Sequence, residues 1–118
     1  MVSRIIIDIY GCGYGLKYSK INVYIIYSGK TIKFPKGNKK KLFIHLLRKF
    51  ANIKLLSKDY TNIKFECYTP DKLITIMETI LKIDNIKKKH VEKWEKMSLN
   101  ELYSDIISMA VEQKIKES

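Results

Sequence analysis

The sequence predicts a single domain of the mixed α/β class (α+β), with a mixed five-stranded sheet that opens as a three-strand antiparallel meander and has helices packed on it. Three observations carry this. The first 35 residues are rich in Ile, Val and Tyr between glycine breaks, apolar residues from Lys39 onward recur at three and four, and a further strand-like run separates two helical stretches. At 118 residues the chain can bury one core but not two.

Arg4 to Tyr10, Lys20 to Tyr27 and Thr31 to Phe34 read as the meander strands, with Ser28-Gly29-Lys30 as a tight hairpin and Gly11-Cys12-Gly13-Tyr14-Gly15 as the first turn. Pro35-Lys36-Gly37-Asn38 ends the strand region. Leu42, Phe43, Leu46, Leu47, Phe50 and Ile53 then predict a helix from Lys39 to about Leu55. Asn62 to Tyr68 reads as the fourth strand. Thr69 supplies an N-cap hydroxyl and Pro70 the first helical position of a second helix, with Leu73, Ile76, Met77, Ile80 and Leu81 inward. In the stretch 84–97 the residues Ile86, His90, Val91 and Trp94 could line a helix, but His90 to Met97 is read as a short fifth strand. Ser98 and Glu101 form a capping box that opens a last helix, with Leu102, Ile106, Met109 and Ala110 inward.

The formal charge is +11 with a pI near 9.6, a balance that favours a polyanionic partner. Its distribution is uneven: residues 1–65 hold 14 Lys or Arg against 2 acids, and residues 66–118 hold 9 against 10. A thermophile's charged surface would also raise the lysine content, but it would not empty one half of acids. DNA or RNA is therefore the expected partner. No run approaches the roughly 18 apolar residues of a membrane span, and Asp8 interrupts the N-terminus too early for a secretory signal, so a cytoplasmic protein without membrane contact is expected. Cys12 and Cys67 lack the spacing of a zinc site or a disulfide scaffold and read as reduced structural thiols.

Asp8 raises a chemical question, because it stands inside an apolar strand where an unpaired charge is costly. "IDIYGCGYG", "YTPD" (Tyr68 to Asp71) and "NELYSDIISMA" (Asn100 to Ala110) occur in an order that resembles the ribonuclease H-like family. The resemblance implies a ribonuclease H-like sheet and Mg²⁺-dependent phosphodiester cleavage. It also implies Asp8, Asp71 and Asp105 as metal ligands and Glu101 as an assisting catalytic group. No acid lies between Asp8 and Asp59, so the first helix lacks that family's bridging glutamate, and Glu101 or Glu66 would have to stand in. Independently of the resemblance, two-metal hydrolysis needs several carboxylates converging from different elements. A first and fourth strand lying parallel would bring Asp8 and Asp71 to one end of the sheet and let Cys12 approach Cys67. Glu101 and Asp105, four apart, would share a helix face.

Each acid also has a structural reading. Asp8 can sit on a solvated strand face, Asp71 can serve a helix dipole, Glu101 is accounted for by its cap, and Asp105 can be a solvated helix acid. His45 and His90 read as structural or surface residues. Tyr103 as a nickase-type nucleophile lacks the paired histidines that such chemistry needs. Lys17, Lys20, Lys36, Lys39, Lys40 and Lys41, with Tyr14 and Tyr18 as stacking platforms, are the candidate nucleic-acid contacts. A non-catalytic binder and a protein-interaction module with a basic face are the alternatives to a nuclease.

Overall fold

The computed structural model describes residues 2–11, 22–59 and 61–117. In chain order they form β1 (Val2–Tyr10), β2 (Asn22–Tyr27), β3 (Lys30–Lys33), α1 (Asn38–Phe50), β4 (Asn52–Lys58), β5 (Asn62–Pro70), α2 (Asp71–Lys82), α3 (Lys88–Trp94) and α4 (Leu99–Glu117). The antiparallel meander is present as expected. Its second turn is a two-residue loop in which Ser28 (φ 45°) and Gly29 (φ 74°) both adopt positive φ, the requirement of a type I′ hairpin.

The apolar spacing predicts a first helix to about Leu55, but α1 stops at Phe50 and Ala51 turns to extended backbone. Residues 52–58 form a strand instead. This strand reverses the direction of the next one. β5 therefore runs antiparallel to β1, with Val2 opposite Pro70 and Tyr10 opposite Asn62, and the expected parallel pairing does not occur. The sheet order is β3-β2-β1-β5-β4 with every neighbouring pair antiparallel, so the sheet is not mixed and its order is not ribonuclease H-like. The fifth strand expected at His90 to Met97 is also corrected: it is α3, whose Val91 and Trp94, three apart, bury together. Pro70 ends β5 and precedes α2 rather than occupying its first turn.

Helix α1 links β3 at one sheet edge to β4 at the other. Thirteen residues at 1.5 Å rise span about 20 Å, and four strand spacings of 4.8 Å span about 19 Å, so α1 is just long enough to cross the sheet. Its Leu42, Phe43, Leu46 and Leu47 bury on the sheet face that carries Ile5, Ile7, Ile25 and Cys67. Helix α2 adds Leu73, Ile76 and Ile80, and α4 packs behind it with Leu102 and Ile106. Each such buried side chain contributes about 1.5–3 kcal/mol.

Polar ties fix the helix layer. Lys39 Nζ donates to Leu81 O (3.1 Å), and Lys49 Nζ donates to Met97 O (3.0 Å) and Glu95 O (3.3 Å), so two α1 cations satisfy carbonyls near the ends of α2 and α3. The Ser98–Glu101 capping box expected from sequence is formed reciprocally, both bonds at 3.3 Å. No helix among the described residues is long and apolar enough to cross a membrane.

Candidate nucleic-acid interface

Strand alternation sends odd-numbered β1 residues to the helices and even-numbered ones to the opposite, outer face. The register defines that face in rows. One row crosses four strands as Lys33, Tyr24, Asp8 and Lys64, and the next as Thr31, Ile26, Ile6, Glu66 and Lys54. Tyr10 and Asn62 flank one end, and Arg4 and Tyr68 the other. None of Ile6, Tyr24 and Ile26 belongs to the core cluster, and among the described residues no helix packs on this face. Tyr10 is 44% exposed and Tyr68 is 41% exposed. The face thus presents three tyrosines beside Arg4, Lys33, Lys54 and Lys64.

Asp8 lies in the middle of it, only 3% exposed. Its carboxylate accepts a hydrogen bond from the Asn62 side-chain amide, and Tyr10 meets Tyr24 edge-on at 6.0 Å between ring centres. Asp8 is the main cause of a raised Tyr10 pKa. Asp8 therefore acts on its neighbours by positioning them. At the other end Arg4 pairs with Glu66, and Tyr68 donates to the same carboxylate at 2.7 Å. These two bonds, Arg4 first, hold Glu66 below the usual carboxylate range.

The four acids expected to act together stand apart. Six residues of antiparallel ladder separate Asp8 from the level of Val2 and Pro70, where Asp71 follows; that is about 20 Å. Asp71 accepts a bond from the Ser3 hydroxyl and sits in the first turn of α2. Asp105 Oδ2 accepts the Trp94 indole N–H at 2.6 Å and lies 3.4 Å from Lys93 Nζ. Glu101 is held in its cap. Among the described residues no three His, Cys, Asp or Glu side chains gather as a metal site, so these residues do not fit the Mg²⁺ centre that the resemblance implied.

Comparison with known proteins returns nothing: no family model, no curated protein and no solved structure matches this chain.

Of the candidate nucleic-acid contacts, Lys17, Lys20, Tyr14 and Tyr18 lie outside the described residues, as does Cys12. Lys36, Lys40 and Lys41 lie at the start of α1 and on the loop before it, with Lys36 and Lys40 bordering one hollow together with Lys33, and Lys39 is engaged by Leu81 O. Cys67 is a free, buried thiol opposite Ile5 on β1, its pKa pushed up to about 11 by burial. His90 stacks on Trp94 at 5.5 Å, and Tyr103 lies under Lys72 Nζ at 5.5 Å. Sequence reasoning overlooked Lys54, Lys64 and Tyr68. The signal for the last two was alternation along β5, where Lys64, Glu66 and Tyr68 interleave with Phe65, Cys67 and Thr69.

Proposed function

We propose that the protein binds single-stranded nucleic acid on the outer face of its sheet and does not cleave it. The observation that carries this is the row Lys33–Tyr24–Asp8–Lys64, flanked by the exposed rings of Tyr10 and Tyr68. Aromatic faces beside cations suit a strand whose bases are free to stack and whose phosphates need neutralising. A phenol of ordinary pKa is already neutral at physiological pH, and Asp8 beside Tyr10 and the bond from Tyr68 to Glu66 push these two further in that direction. The acid-poor charge of residues 1–65 adds long-range attraction for any polyphosphate. Hydrolysis by metal-activated water would need carboxylates converging on one point, whereas Asp8, Asp71 and Asp105 belong to three separate sets of contacts.

The test is fluorescence anisotropy with a labelled 12-nucleotide single strand, as DNA and as RNA, against the matching duplex. The single strand is expected to bind more tightly, with log K falling by about 0.7 per neutralised phosphate for each decade of salt. Tyr10→Ala and Tyr68→Ala should each weaken binding by about 1–3 kcal/mol. A preference for duplex, indifference to both tyrosines, or degradation of the strand in Mg²⁺ buffer would overturn the reading.

A further inference from the structure

On the opposite face of the sheet, α1 crosses over the strands and leaves a cavity of about 400 Å³ on one side. Its walls are apolar: Ile9, Val23 and Phe65 from the strands, Phe34 from the loop after β3, and Ile44 from α1, with Ile53 of β4 at 39% exposure. Two side chains break this pattern, and both are cations. Lys40 and Arg48 flank Ile44 along one helix face, about 12 Å apart. Lys40 also borders an adjoining hollow that contains Lys33 and Lys36, and among the described residues neither concavity is lined by an acid.

We propose that this cavity binds one monomeric long-chain carboxylate, the hydrocarbon chain beneath α1 and the anionic head against Lys40 and its neighbouring lysines. The volume lies within the range of small-molecule sites, and the lining follows their pattern of apolar walls with a few polar groups that fix orientation. Charge decides the head group: cations without a lining acid select an anion. The walls decide the tail. A nucleobase would bring polar edges into a space that offers them few partners, while a hydrocarbon chain asks for none. The cavity itself shares no lining residue with the outer face, and Lys33, in the adjoining hollow, belongs to both, so either proposal can fail without the other.

Isothermal titration of the full chain with octanoate, decanoate and dodecanoate, each below its micelle-forming concentration, tests the proposal. One equivalent should bind, and affinity should rise about fourfold per added methylene while the cavity fills. Dodecanol should bind more weakly than dodecanoate, and dodecyltrimethylammonium should not bind. Lys40→Ala/Arg48→Ala changes two side chains that make no ion pair among the described residues. It should preserve the thermal melt, equalise dodecanoate with dodecanol, and leave single-strand binding by Tyr10 and Tyr68 in place. Equal affinity for the acid and the alcohol in the unmutated chain would overturn the proposal. So would absence of saturable binding, binding only to anionic vesicles, or displacement of dodecanoate by the 12-nucleotide strand.

Discussion

Asn62 donates its side-chain amide to the carboxylate of Asp8 across the β1–β5 ladder, and the same amide group reaches Ile9 O at 3.2 Å. The acid in the apolar strand is thereby supplied with a donor. Asp8→Ala should cost about 1–3 kcal/mol, because it strips the Asn62 amide of its acceptor. Asp8→Asn keeps an acceptor oxygen and should cost less, while slightly tightening oligonucleotide binding by removing a negative charge from the row. Urea unfolding and anisotropy measure the two effects.

Trp94 is 1% exposed and its indole N–H rests on Asp105. Asp105→Ala leaves that donor buried without its acceptor, an expected loss of about 1–3 kcal/mol. Trp94→Ala should cost more, about 3–5 kcal/mol, through the cavity it leaves. A double-mutant cycle should show coupling of about 0.5–3 kcal/mol between them. Additive losses would mean that the hydrogen bond contributes nothing to holding α3 on α4.

The helix layer depends on Lys49 as well as on its apolar face. Lys49→Met retains most of the stem and removes two bonds to the carbonyls of Glu95 and Met97, so a loss of about 1–2 kcal/mol is expected. Lys41→Met, at an exposed position one turn from the start of α1, should stay within about 0.5 kcal/mol of the parent. Chemical denaturation of the two variants side by side gives the comparison.

Acid should weaken the fold in a defined direction. Glu66 is depressed by Arg4 and then Tyr68, Asp59 by the backbone N–H groups of Thr61 and Asn62, and Glu101 by Ser98. A carboxylate whose folded pKa lies below its unfolded one contributes stability that is fully present above the unfolded value and is lost as pH falls through the folded one. With ordinary values of 4.5 for Glu and 3.8 for Asp, the melting temperature should begin to drop near pH 4.5 and continue downward. Glu66→Gln should flatten part of that slope, which a melting series between pH 6 and pH 2 would reveal.

Much of the fold was legible because its signals are local. Ser28-Gly29 fixes a hairpin, Ser98 and Glu101 fix a helix start, and the alternation in β1 fixes its two faces. The end of α1 was not legible. Ile53 continues the helical spacing set by Leu42, Leu46 and Phe50, and the boundary at Ala51-Asn52 carries neither Gly nor Pro. That one missed strand had a large effect on the site. Inserting β4 inverts β5, which carries Asp71 from the end of the sheet near Asp8 to the opposite end. Strand direction is a property of the whole path of the chain, and no residue near Asp71 encodes it. In α3, Val91 and Trp94 lie three apart, a spacing that puts both on one helix face and would send them to opposite faces of a strand; over so short a run that signal is easily missed, and the burial of Trp94 against α4 decides for the helix.

The central position of β1 has a consequence for how the protein is born. One flank of the strand is taken by β2, a neighbour close in the chain, but the other waits for β5, some sixty residues later. A chain leaving the ribosome therefore carries a half-built sheet with an open flank until residues 62–70 emerge and α1 has swung across. The joining of β5 to β1 is the slow, long-range event, and a polypeptide halted before Asn62 would expose the inner strand of the finished protein as an adhesive rim.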